Sequence, residues 1–274
     1  MKKEILMTAL AITMLIACKK SDADPNPSQP AGSCTPVMDS VIRNGITSYT
    51  FSYSPNSAKI SKFQNYDGAG GVNGYTQYTY DNNKIIERDY YDNGDPNGTG
   101  RVYHLDEKGR IKMSTYSEVF TSSDDTIFFQ YDANGNNTFR IHKIVGTATT
   151  TDTIAYSYEN NVRVTMEKIK NGQAIDRHEY EYTSTPDKVG YNEFLLVDIG
   201  QARIPGQGLF GSISPNLIAK DTYVDYINPN RYYTATNVYE FDSNGYPIKV
   251  TYDVVSGPGY VSFTDVATYK YVCR

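Results

Sequence analysis

Three histidines, one Asn/Asp-rich loop and a few paired acids are the residues of this sequence whose types could do chemistry. His104, His142 and His178 stand 38 and 36 residues apart, with no Cys or carboxylate at ligand spacing beside them. A metal site needs at least three convergent ligands, so these histidines are expected at the solvent face or the core edge, and no metal or cofactor is expected. The stretch Asp92 to Gly100, "DNGDPNGTG", imitates the start of a calcium loop through Asn93, Asp95, Asn97 and Gly98, but the twelfth position is His104 rather than a bidentate Glu. Asn, Asp and Gly are the residues that tight turns require, so a hairpin turn is the expectation there. The sequence has no G-x-S-x-G elbow, phosphate-cradling glycine loop or CxxC pair. Acidic pairs such as Asp124-Asp125 and Glu179/Glu181 say little among 31 acids. No catalytic residue is assigned; a polymer hydrolase would need two convergent carboxylates at a defined separation.

Tyrosine is the other candidate. It occurs 26 times, while tryptophan, the residue most used for sugar platforms, is absent. Tyrosine faces can stack on sugar rings, but regular aromatic alternation is also how a sheet fills its own core. Structural tyrosines are the preferred reading and a glycan platform the alternative.

The tyrosines are ordered. Placing the second aromatic of each aromatic-x-aromatic pair in one column gives Tyr53, Tyr80, Leu105, Tyr131, Tyr158, Tyr182, Phe241 and Tyr271, spaced mostly by 24 to 30 residues with one double gap of 59. A repeat of this size marks an array. Flanking aromatics share one strand face and the Ser, Glu or Lys between them takes the other, which predicts antiparallel sheet with one face buried. Asp81, Asp106, Asp132 and Asp242 follow the pair, and Gly109, Gly135 and Gly245 supply positive φ, so each unit reads as a hairpin. The prediction is an all-β, antiparallel up-and-down meander of about 14–16 strands, forming a barrel-like or half-barrel shell. The double gap marks an irregular or short helical insertion at about 186–230, expected to plug the aromatic interior. Regular turns should line one rim, and variable linkers such as "YDNGDPNGTG" and "VGTATTTD" the other. Glu, Lys, Ser and Thr on the outward face argue against a membrane-spanning barrel.

The formal charge of −5 argues against nucleic acid as a partner. At the N-terminus, Lys2 and Lys3 precede a thirteen-residue apolar stretch, Ile5 to Ala17, too short to span a bilayer. Residues 1–17 read as a signal peptide, and Leu15-Ile16-Ala17-Cys18 resembles the bacterial lipobox, which implies lipid attachment at Cys18. Removing Lys2, Lys3 and Glu4 takes away a net +1, leaving −5 − 1 = −6. Residues 18–33 hold three prolines and no large apolar side chain and form a flexible tether. Lys19 after the cysteine favours the outer membrane, and "SDAD" at Ser21 to Asp24 is similar to acidic tethers that lead to the cell surface. Cys34 and Cys273 bracket the domain of residues 34–274, and a disulfide between them is expected in an oxidising envelope compartment.

Lipobox, tether, Tyr-Asp-x-x-Gly hairpins and the "LFGSISPNLI" insertion together resemble the Bacteroidota lipoprotein domain of unknown function with a porin-like fold, built from YD-repeat-like hairpins. The resemblance covers residues 34–274 and implies a fold and an address. Leu105, Thr183 and Ser54 depart from the pattern, and the units at Tyr80 and Tyr158 lack the glycine. The functional expectation is a non-enzymatic outer-membrane lipoprotein displaying loops to an envelope or extracellular partner; the alternatives are a glycan-binding accessory lipoprotein and, further off, a polymer hydrolase.

Overall fold

The computed structural model describes residues 36–55, 57–116, 124–145, 150–190, 192, 208–211, 214–258 and 260–273. All belong to one compact unit, residues 34–274. Sixteen strands run in order: β1 (Pro36–Arg43), β2 (Ile46–Tyr53), β3 (Ile60–Tyr66), β4 (Val72–Asp81), β5 (Lys84–Tyr90), β6 (Pro96–Leu105), β7 (Ile111–Tyr116) and β8 (Asp124–Tyr131). They continue as β9 (Asn137–Val145), β10 (Thr150–Glu159), β11 (Val162–Lys170), β12 (Gln173–Pro186), β13 (Asn216–Asp225), β14 (Tyr232–Phe241), β15 (Pro247–Ser256) and β16 (Phe263–Cys273). Each strand pairs antiparallel with its sequence neighbours, and β1 pairs with β16, closing the barrel. Closure leaves no unpaired edge among the described strands.

The Asp turns form as the sequence requires. Asp106 Oδ1 accepts the backbone N–H groups of Lys108 (2.9 Å) and Arg110 (2.8 Å), while Gly109 at φ +80° donates to the Asp106 carbonyl. Asp132 and Asp242 repeat this arrangement, and so does Asp67, in a turn that the aromatic column does not reveal. The glycine-free units turn in two residues instead, with Asn82 and Asn160 in the left-handed region.

A second regularity joins the hairpins. Most carry a β-bulge just past the turn, and a tyrosine of the next even-numbered strand donates to the carbonyl beside the extra residue. Tyr80 reaches Ile60 (3.0 Å), Tyr131 reaches Ile111 (2.7 Å), Tyr239 reaches Ile218 (2.7 Å) and Tyr271 reaches Pro247 (2.7 Å). Tyr53 does the same for Met38 at the seam of β1 and β16. A bulge disrupts the ladder, and an unpaired buried carbonyl is costly, so each hydroxyl repairs a specific defect. Leu105 then makes sense: the β4–β5 hairpin is the one that would present its carbonyl there, and its register runs without a shift.

The insertion is shorter than the expected 186–230. Residues 216–225 are wall strand β13, and 226–231 connect it to β14. "NLIAKDTYVD" lacks an aromatic-x-aromatic pair, so the column passed over it. The insertion proper is 187–215, and of its described residues Leu209 and Phe210 are buried in the barrel core. The Ile111 N–H donates to the Leu209 carbonyl (2.7 Å), and Phe210 tilts against Phe129 at 5.7 Å. Gly211 lies against the Gly135 carbonyl and the Tyr131 ring, where no Cβ would fit. This end, which also carries the Asp106, Asp132 and Asp242 turns, the start of β1 and the end of β16, is the plugged rim. Connection length does not distinguish it from the far rim, contrary to expectation. Only Tyr91 to Asp95 of the linker "YDNGDPNGTG" connect β5 to β6, the rest of it opening β6, and both rims carry two-residue turns.

Candidate functional site

Two layers fill the barrel. Near the plugged rim the inward residues are apolar and aromatic: Phe51, Phe63, Tyr78, Tyr103, Ile127 and Phe129 join Leu209 and Phe210 in one cluster. Two residues further along the same strands, alternation keeps the side chains inward but the sequence turns polar. Arg101 follows from Tyr103, Glu87 from Ile85, Asp125 from Ile127 and Arg140 faces Phe129 in register. Tyr103 spans the layers, its hydroxyl donating to Glu87 Oε2 at 2.7 Å, and burial raises that phenol well above its ordinary range, with Glu87 adding to the effect.

The histidines sit in this wall. His142 Nε2 lies 2.7 Å from Asp125 Oδ1, and His178 Nδ1 lies 2.9 Å from Asp221 Oδ1. Both carboxylates come from neighbouring strands 17 and 43 residues away, so sequence spacing did not show them. His104 stands apart, its imidazole pKa lowered by partial burial and by Lys84 and Lys112. The Asn/Asp loop satisfies itself: Asn93 Nδ2 donates to Asp95 Oδ2 (2.8 Å), and Asn97 Oδ1 accepts the Thr99 N–H (2.9 Å).

Toward the far rim, His178 packs on Tyr223 at 4.9 Å, Tyr223 stacks on Tyr233 at 5.0 Å, and Tyr260 meets both rings edge-on. Asp176 and Asp225 face each other across the β12–β13 ladder. Burial raises the Asp176 carboxyl above the ordinary range and Asp225 adds to it, against the pull of Lys168 and His178. Directly opposed like charges destabilise a sheet, which sets this pair apart from the rest of the wall.

The far rim of β13–β16 carries exposed apolar side chains. Val261 is 80 % exposed, Ile227 69 %, Val255 63 % and Phe263 54 %, with Tyr226, Tyr232 and Tyr260 exposed among them. Val224 facing Tyr232 and Val255 facing Thr234 lie on the outer face, whereas Phe263, opposite Val254 and on the same face of β16 as Ala267 and Tyr269, stands on the inner face at the mouth of the barrel. Closer to the plugged rim the same outer wall carries the exposed pairs Lys220–Glu181 (2.7 Å) and Lys249–Glu240 (2.6 Å) together with Val238, 60 % exposed.

No protein-family model matches the chain, and no curated protein matches it significantly. Solved structures do. A porin-like protein from Bacteroides uniformis superposes with a TM-score of 0.62 at 14 % identity, over 89 % of this chain and 98 % of that one. A porin-like protein from Bacteroides vulgatus matches with a TM-score of 0.48 at 13 % identity, over 86 % and 98 %. The chain thus has a porin-like barrel fold.

Of the expected site residues, Cys18 and Cys34 lie outside the described residues. Cys273 ends β16 opposite Pro36, two residues past Cys34.

Proposed function

We propose that this chain is a non-enzymatic outer-membrane lipoprotein, tethered through Cys18, whose barrel holds its far rim ready for an envelope or extracellular partner. The observation that carries this reading is the contrast between the ends of one closed barrel. The start of β1 and the end of β16 meet at the plugged rim, so a tether preceding β1 would join there, while the exposed side chains Ile227, Val261 and Phe263 gather at the other. Exposed ion pairs along the outer wall of β12–β15 support a barrel surrounded by water. A Cys34–Cys273 disulfide would lock the seam between β1 and β16.

Glycan binding is the second reading, supported by the Tyr223–Tyr233 stack beside Asp176 and Asp225; retention of the protein on polysaccharide affinity gels would favour it. For the leading reading, Cys18→Ala should abolish labelling by a clickable fatty acid and release the protein from the membrane fraction. Undiminished labelling would sink the lipoprotein assignment. Protease shaving of intact cells then separates the surface from the periplasmic side.

A further inference from the structure

We infer that Arg163, on the inner face of β11 at the plugged rim, holds a small anion, a halide or the carboxylate of a small acid, at a site that does not depend on the tethered reading above.

The internal repeat singles this residue out. On the rung just past three of the hairpin turns at this rim, Ile60 stands opposite Tyr53, Ile85 opposite Tyr80 and Ile111 opposite Leu105, all three isoleucines fully buried. Arg163 takes that place opposite Tyr158 and is 2 % exposed. The tyrosine pattern breaks at the same point. The β10–β11 hairpin has its bulge, so Tyr182 on β12 is placed to donate to the carbonyl beside it, as Tyr80 and Tyr131 do in their hairpins. Its hydroxyl is instead buried with no hydrogen-bond partner among the described residues.

Around the guanidinium, donors outnumber acceptors. Arg163 Nε and Nη2 both donate to the Tyr158 hydroxyl, at 3.3 and 3.1 Å, and the guanidinium lies over the Tyr156 ring at 4.1 Å. The buried Tyr180 hydroxyl donates to the Met166 sulfur at 3.9 Å, a weak acceptor. Burial raises the Tyr180 and Tyr182 phenols above their ordinary range, so both stay neutral donors. No carboxylate among the described residues pairs with Arg163. Asp221, which acts on both phenols, is held by His178 at 2.9 Å, and Asp132, which acts on Tyr158, is held by Asn136 in its own turn at 2.9 Å. A ring face offsets part of the cost of burying a guanidinium, but a buried cation without a counter-charge remains strongly unfavourable. An anion supplies that charge, accepting from the guanidinium edge that Tyr158 leaves open and from the Tyr182 hydroxyl. Water would satisfy the hydroxyl and leave the charge uncompensated.

The test titrates sodium chloride and, separately, sodium formate into the full-length protein in detergent at low ionic strength, with the melting temperature as readout. Wild type should show a saturable rise of about 5 to 10 °C by roughly a hundred times the Kd of the anion. Whichever salt saturates at the lower concentration names the anion. Arg163→Met should lose this dependence while melting at or above wild type in the absence of anion, because it removes the uncompensated charge and keeps an apolar chain. General salt effects appear in both proteins and cancel in the comparison. Tyr182→Phe keeps the guanidinium and should weaken anion binding about tenfold, without lowering the anion-free melting temperature, since its hydroxyl has no partner to lose. No shift with either salt, or the same shift in wild type and Arg163→Met, overturns the inference. An anion response in Tyr182→Phe equal to that of wild type also overturns it, and this variant decides the matter should Arg163→Met fail to fold.

Discussion

The two rims of this barrel are built from the same hairpins and treat apolar surface in opposite ways. At the plugged rim Asp106, Asp132 and Asp242 satisfy the turn backbone, tyrosine hydroxyls repair the bulges, and Leu209 and Phe210 are buried in the end of the interior. At the far rim Ile227, Val255, Val261 and Phe263 stand in solvent while Asp176 and Asp225 face one another. The first end is organised for stability; the second carries features that cost stability and that a partner would relieve.

The comparison is most easily broken at the plug. Phe210→Asp places an unpaired carboxylate in the core, and it should cost about 4–5 kcal/mol or prevent folding, read as loss of a cooperative melt. Ile227→Asp should change stability by less than about 0.5 kcal/mol. Equal effects at the two rims would refute the division. The seam comes next. If Cys34 and Cys273 are bridged, Cys273→Ser should lower stability by about 2–5 kcal/mol under oxidising conditions and leave reduced protein unchanged. Intact mass after alkylation, with and without reduction, tests the bridge directly; uptake of two alkyl groups without reductant would rule it out.

A smaller effect sharpens the account of the plugged rim. Tyr80→Phe removes the donor that reaches the Ile60 carbonyl and should cost about 1–2 kcal/mol by chemical denaturation. Leu105→Tyr adds a hydroxyl where the facing hairpin has no bulge, and should destabilise rather than stabilise. A gain there would show that the tyrosines follow composition and not the bulges. The smallest effect belongs to the far rim. Because the Asp176 carboxyl is raised by burial, with Asp225 contributing, its ionisation opposes folding as pH rises through its native pKa. Asp176→Asn should therefore stabilise the barrel at pH 7 by roughly 0.2–1 kcal/mol, the range for opposed cross-strand charges, and the gain should vanish at about pH 4 and below. A pH-independent difference would mean that the carboxylate carries no such strain.

Much of the barrel could be read locally. The period-two aromatic pairs place one face inward, and Asp with a glycine three residues on specifies the turn at 106–110, 132–136 and 242–246, because each depends on residues close together in the chain. Strand β13 escaped because "NLIAKDTYVD" has a single aromatic, and its inward Asp221 and Tyr223 have meaning only opposite His178 on β12.

The sequence by itself thus determined an antiparallel array of hairpins, its aromatic interior and an interruption before the last units. Only the tertiary structure decided that β1 meets β16, that Phe210 lies against Phe129, that His142 meets Asp125, and that Ile227 and Val261 share a sector. The reason is physical. Turns and strand faces follow from steric and hydrogen-bonding preferences over a few residues, whereas closure and register depend on how sixteen strands stagger together, and a bulge of one residue shifts every later neighbour.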